Sequence, residues 1–177
     1  MSRVGQKPIT LPAGVEAVVN ERTLKIKGKG GELSMNFSPL ITVKKEGNVL
    51  TFTPVNKTKQ ARMDWGTTRS RANSMVKGVT EGFKQKMQLQ GVGYRAEMKG
   101  KTLSMKVGHS HEDISTPPTG VNVKVDKQTD IEISGADKQA VGQYAALLHL
   151  TKPPEPYKAK GVHYEGQEVE RKEGKKK

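Results

Sequence analysis

The feature that most constrains this chain is a diverged internal repeat. Lys27-Gly28-Lys29 precedes Leu33-Ser34-Met35, and Lys99-Gly100-Lys101 precedes Leu103-Ser104-Met105. A pair of strand-like runs follows in each half: Ile41-Thr42-Val43 with Val49-Leu50-Thr51-Phe52, and Val121-Asn122-Val123 with Asp130-Ile131-Glu132-Ile133. Each half then enters a helical pattern containing an apolar-Gly pair, Trp65-Gly66 and Val141-Gly142. A single three-residue match arises by chance, but a shared order of four such features points to one supersecondary unit built twice. The expected fold is therefore α+β, with two similar domains from an internal duplication. Each should hold a small, mainly antiparallel sheet packed with one helix. The boundary falls near Gly82-Phe83, giving domains 1–82 and 83–165 and a charged tail, 166–177.

Local patterns support these elements. Leu24 and Ile26 alternate with Lys25 and Lys27, and Gly28 to Gly31 turns the chain into Leu33, Met35 and Phe37. Alternation of this kind marks a strand with one buried face. Glu46-Gly47-Asn48 reads as a hairpin turn between 41–45 and 49–53. Ala61, Trp65, Thr68, Ala72, Met75 and Val79 recur at steps of three and four, which predicts a helix over 59–79 with that face inward. Lys84 to Met98 reads as extended chain interrupted at Gly91 and Gly93. A second helix is expected over 137–150, with Asp137 as N-cap and Val141, Tyr144, Ala145 and Leu148 inward. Pro153-Pro154 stops it, and Val162-His163-Tyr164 reads as a return strand.

Composition excludes several functions. The chain has no Cys, which removes a thiolate nucleophile, a disulfide framework and Cys-ligated zinc. No apolar run approaches the ~20 residues of a membrane span, and the basic start Met1–Pro8 lacks the apolar core of a secretory signal. With 31 Lys and Arg against 18 Asp and Glu, the net charge is +13, which favours a polyanionic partner, nucleic acid before membrane. The signs also segregate. Residues 84–111 carry six basic side chains and one acidic; residues 112–137 carry two basic and six acidic; Lys152, Lys158 and Lys160 then face only Glu155. Two basic segments around an acidic one suggest a domain with a positive side. On the first helix, Lys59, Arg62, Arg69, Arg71 and Lys77 lie off the apolar stripe and read equally as a solvated face or a secondary contact. The arm Ser2–Lys7 and the tail, ending Lys175-Lys176-Lys177, are too polar to order alone.

No catalytic constellation emerges, so neither an enzyme, a cofactor nor a small-molecule substrate is expected. His109-x-His111 followed by Glu112-Asp113 has the spacing of a metal pair, but without a recognisable third ligand it reads as a polar loop, and no metal is expected. Gly91-Val92-Gly93-Tyr94-Arg95-Ala96 matches the letters of a dinucleotide fingerprint. That motif works only where a helix opens after the glycines, and here a strand pattern follows. These glycines instead mark a close approach of backbone to something else. Pro153-Pro154-Glu155-Pro156-Tyr157-Lys158-Ala159-Lys160-Gly161 joins three prolines to one aromatic and two cations. It reads either as a helix stop before a return strand or as a stiff loop that presents charge at low entropic cost.

Pro154–Val162 closely resembles the signature of a known family, that of the sixth protein of the bacterial large ribosomal subunit. The resemblance extends to Leu89–Ala96, Asn73–Phe83, Gly135–Gln139, Ser2–Gly5 and Pro12–Val15, in the same order over essentially the whole chain. It implies two similar α+β domains, no enzymatic activity and a cytoplasmic, ribosome-bound protein without a membrane. The implied partners are large-subunit rRNA near the sarcin–ricin loop and stalk base, neighbouring ribosomal proteins there, and translation factors nearby. Carried over by position, the rRNA-facing residues are Gly91, Gly93, Tyr94, Arg95, Ser110, His111, Lys152, Tyr157, Lys158, Lys160 and Gly161, with Lys175, Lys176 and Lys177 of the tail. His109, Glu112 and Asp113 depart from the family pattern, and the resemblance gives them no role. The alternatives are a basic RNA-binding protein outside the ribosome and a nucleotide-binding enzyme.

Overall fold

The computed structural model describes residues 2–175, and the chain divides into two compact units that meet in sequence between Gly82 and Phe83. The first unit contains strands β1 (Ile9–Thr10), β2 (Glu16–Asn20), β3 (Thr23–Gly28), β4 (Gly31–Asn36), β5 (Ile41–Glu46) and β6 (Val49–Pro54), then helix α1 (Lys59–Thr80). They form two antiparallel sheets, ordered β1-β6-β5 and β2-β3-β4, so the strands of the copy divide between two small sheets. Alternation in β3 buries Leu24 and Ile26 completely, and they join Leu50, Phe52 and Ala72 in one core. α1 packs against strands of both sheets.

Helix α1 opens where the Thr58 hydroxyl accepts a hydrogen bond from the Ala61 N–H at 3.3 Å, which satisfies one of the free donors of the first turn. Its buried stripe is Ala61, Thr68, Ala72, Val76 and Val79. Val76 thus takes the deep position that the spacing assigned to Met75, which is only partly buried. Trp65 is also partly buried, and its indole N–H donates to the Phe52 carbonyl at 2.7 Å.

The N-terminal arm departs from the expectation of disorder. Gly5 is buried against the Trp65 ring, its N–H donating to Ser2 Oγ at 3.2 Å. The Arg69 guanidinium donates to the Lys7 carbonyl at 3.0 Å and the Pro8 carbonyl at 3.4 Å. An apolar ring and a forked cation give a polar segment the partners it lacks locally. Arg69 thereby leaves the solvated face of α1.

The second unit contains β7 (Phe83–Gln90), β8 (Arg95–Lys99), β9 (Thr102–Lys106), β10 (Asp113–Ser115), β11 (Val121–Asp126), β12 (Asp130–Gly135), helix α2 (Lys138–Thr151) and β13 (Gly161–Tyr164). The sheets are β10-β9-β8 and β11-β12-β7-β13, both antiparallel. The repeat is visible in the register. Leu24 pairs with Met35 and Ile26 with Leu33 in the first unit; Ala96 pairs with Met105 and Met98 with Leu103 in the second. The same sequence triplet therefore occupies the same place on two hairpins. α2 buries Val141, Tyr144, Ala145 and Leu148, the four positions its periodicity predicts.

Tyr144 is the largest fully buried side chain of this core. Burial pushes its phenol above the usual range and the nearby Ser115 hydroxyl offsets part of the effect, yet the phenol oxygen has no hydrogen bond of good geometry. Leaving a buried hydroxyl unsatisfied costs stability, whereas removing it costs little. Tyr144→Phe should therefore melt at or slightly above the wild-type temperature. Tyr144→Ala should lose about 3–5 kcal/mol by opening a cavity, as measured by urea unfolding.

Candidate nucleic-acid interface

Three loops of the second unit come together through strand register. β13 runs antiparallel to β7 with Gly161 opposite Gln90, so the Pro-rich loop leaves the sheet beside Gly91, where the Gly-rich loop begins. Arg95 opposite Lys106 places the start of the 107–112 loop beside the end of the Gly-rich loop. The Tyr94 ring bridges the two. A Cβ on Gly91 would lie 2.8 Å from this ring, and one on Gly108 would lie 3.3 Å from it. The flanks of the Gly-rich loop are fastened as well: the Leu89 and Ala96 N–H groups each donate at 2.8 Å, to the Thr129 and Gln128 carbonyls.

The Pro-rich loop is held from within. The Glu155 N–H donates to the Lys160 carbonyl at 3.0 Å, the Ala159 N–H to the Glu155 carbonyl at 3.1 Å, and the Val162 N–H to the Lys152 carbonyl at 2.8 Å. His163, buried, meets the Ala159 carbonyl at 2.7 Å through Nε2, and His149 meets the Val162 carbonyl at 2.7 Å through Nδ1. Both histidines act as braces. Gly161 has φ +152°, and a Cβ there would lie 2.7 Å from Cα of Pro154. Outward from this frame point Tyr157, 57 % exposed, and Lys158.

The remaining expected positions divide. Gly91, Gly93, Ser110 and His111 are exposed on their loops, Arg95 is exposed at the start of β8, Tyr94, Lys152 and Lys160 are half-buried, and Gly161 is buried at the start of β13. The tail has no regular structure through Lys175, but its Lys172 N–H donates to the Pro156 carbonyl at 2.8 Å, which anchors it beside the same loop. Lys176 and Lys177 lie outside the described residues. After Gly93 the chain enters strand β8, so no helix N-terminus stands ready for a pyrophosphate.

Electrostatics correct the reading of charge along the chain. Two carboxylates of the acidic segment, Glu112 and Glu132, fold back onto the basic segment that precedes it. Glu112 pairs with Lys99 at 2.7 Å and Lys106 at 3.0 Å and accepts from Ser104 Oγ at 3.0 Å. Glu132 pairs with Lys84 at 3.1 Å, and Glu165 with Lys86 at 3.5 Å. Among the described residues, Arg95, Lys101, Lys152, Lys158 and Lys160 have no ion pair. Four of these, Arg95, Lys152, Lys158 and Lys160, stand at or beside the Gly-rich and Pro-rich loops; Lys124 and Lys127, elsewhere on the unit, are likewise without an ion pair. Sequence reasoning missed the Glu112 clamp, although opposite charges on and beside one hairpin were its only signal.

A model of the family described as ribosomal protein L6 matches this chain at residues 11–82 and 90–165. The chain belongs to the ribosomal protein L6 family. The two matched segments fall one in each structural unit, apart from the flanks, in keeping with the repeat. Over all 177 residues of both chains it is 50 % identical to the large ribosomal subunit protein uL6 of Roseobacter denitrificans. It is 48 % identical, again over the full length of both, to the proteins of that name from Erythrobacter litoralis and Caulobacter vibrioides. The family is one of ribosomal structural proteins and not of enzymes.

The Glu112 clamp carries a pH signature. Hydrogen bonds from Lys99, then Lys106 and Ser104, hold its carboxyl at about 2, below the ordinary 4.5. A carboxyl depressed on folding stabilises the protein fully above its unfolded pKa and progressively less as pH falls through the folded one. Thermal melting should therefore decline between about pH 4.5 and pH 2. Glu112→Gln should flatten that decline; an unchanged pH profile would contradict the clamp.

Proposed function

We propose that this chain is a structural constituent of the large ribosomal subunit, in the bacterial cytoplasm, that clamps large-subunit rRNA with its second domain (83–165) and tail (166–177). The clamp sits near the sarcin–ricin loop and stalk base, beside neighbouring ribosomal proteins, and braces the surface that translation factors use. That location follows from the family resemblance. The observation that supports the clamp is the convergence of Gly91–Arg95, the 107–112 loop and Lys152–Gly161, with Arg95, Lys158 and Lys160 unpaired.

The physical mode is backbone recognition. The major groove of A-form RNA is too deep and narrow for side chains to read, so proteins hold phosphates and 2′-hydroxyls and recognise shape. Arg95, Lys158 and Lys160 pair with phosphates. Exposed Gly91 and Gly93 allow main-chain N–H groups to come close to the RNA, and the stiff Pro-rich loop loses little entropy on binding. Tyr157 is one exposed ring, which suits a single contact rather than a stacking platform. A membrane-surface reading has less support: among the described residues no helix is long and apolar enough to cross a bilayer, and Trp65 packs into the first core instead of serving as an anchor.

Binding to a large-subunit rRNA fragment, titrated with salt, tests this reading. Each phosphate contact contributes about one unit to the slope of log K against log salt. Removing Arg95, Lys158 and Lys160 together should lower the slope by about three. The exposed α1 variant Lys59→Ala should leave it unchanged. An equal slope in the folded triple variant would refute the assignment.

A further inference from the structure

The 107–112 loop, together with the first residue of β10, carries a second chemistry besides the RNA contact assigned to Ser110 and His111. His109, His111 and Asp113 bring one ligand atom each to within 4.8 Å of one another. His109 Nδ1 lies 2.8 Å from Asp113 Oδ2, and His111 Nε2 lies 3.4 Å from Asp113 Oδ1. The two imidazoles stand side by side, with centroids 5.5 Å apart. We propose that these three side chains form a binding site for a divalent transition-metal ion of the zinc class.

The spacing fits such an ion. Tetrahedral bonds of about 2.0–2.1 Å set ligand atoms about 3.3 Å apart. His111 Nε2 already stands at that separation from Asp113 Oδ1; His109 Nδ1 meets the other oxygen, Oδ2, at 2.8 Å, and with all three ligand atoms within 4.8 Å of one another, small turns of the exposed rings bring them onto one ion. The side chain of His111 is 75 % exposed, so its ring turns without disturbing packing. Asp113 is the fixed member: it opens β10, pairs with Met105, and its side chain is 17 % exposed.

The surroundings define the donor set. The neighbouring carboxylate, Glu112, is drawn to Lys99, Lys106 and Ser104. That leaves two imidazoles and one carboxylate, a set suited to zinc, nickel or copper and poorly matched to magnesium or calcium. Glu112 also offsets the charge of two lysines that would otherwise repel a cation. Three protein ligands leave a coordination position open to water or to a phosphate oxygen. The other two histidines each commit a ring nitrogen to a backbone carbonyl, His149 to Val162 and His163 to Ala159, so they compete poorly for the ion.

Calorimetric titration of the full chain with zinc chloride, in a non-coordinating buffer, tests the site. One saturable event per chain is expected. His111→Ala, at an exposed position that leaves the fold intact by circular dichroism, should weaken it at least about tenfold, the lower end of what even outer-shell changes cost. With Co2+ as probe, the wild-type chain should give the visible spectrum of a four-coordinate ion, and Asp113→Asn should abolish it. Absence of saturable heat would overturn the proposal. So would an affinity equal in wild type and His111→Ala, which would place the ion elsewhere.

Discussion

The second unit depends on a position where no side chain fits. At Gly161 a Cβ would lie 2.7 Å from Cα and 2.8 Å from N of Pro154, and 2.9 Å from the Lys152 carbonyl oxygen. Backbone atoms cannot give way as the end of a flexible side chain can, so only glycine lets the Pro-rich loop fold back on itself and enter β13. That strand then pairs with β7 at Gln90, which fixes where the loop emerges relative to Gly91. The bracing by buried His163 and half-buried His149, the internal N–H bonds and the anchored tail all accompany that closure. One missing side chain sets the geometry of two loops.

Charge acquires meaning only after folding. An excess of +13 distributed evenly would steer the chain toward any polyanion. In the folded second unit, carboxylates neutralise Lys84, Lys86, Lys99 and Lys106, and uncompensated cations stand at the loops that the register of β7, β8 and β13 brings together. These surface ion pairs contribute little stability individually. Their larger effect is to remove charge from the sheet and hold the 107–112 loop at the edge of the interface. Glu112 joins both roles, since the contacts that fasten the loop also leave Asp113 to the histidines.

Much of this was legible in the sequence because the decisive patterns are local. The repeated Leu-Ser-Met triplet foretold two hairpins with equivalent pairs, and the 3.6-residue period of α2 named its four buried residues. The period of α1 was less exact: Val76 is buried where Met75 was expected, on a 22-residue helix that meets strands of both small sheets. What stayed hidden was long-range and polar. Arg69 reaches back 62 residues to Lys7, Glu112 reaches 13 residues to Lys99, and no periodicity announces either contact. The grouping of His109, His111 and Asp113 was equally hidden, because His-x-His-x-Asp is not a recognised motif. The family resemblance singled out the Gly-rich and Pro-rich loops, and strand register shows why they adjoin.

On the proposed reading, three loops of the second unit held in register make up the rRNA surface. Amide hydrogen exchange of the full chain, with and without a large-subunit rRNA fragment, tests it most directly, because exchange slows where RNA covers or immobilises backbone. Protection should concentrate at residues 91–95, 108–112 and 152–161, with α1 unchanged. Protection confined to the first unit, or to the exposed face of α1, would contradict it.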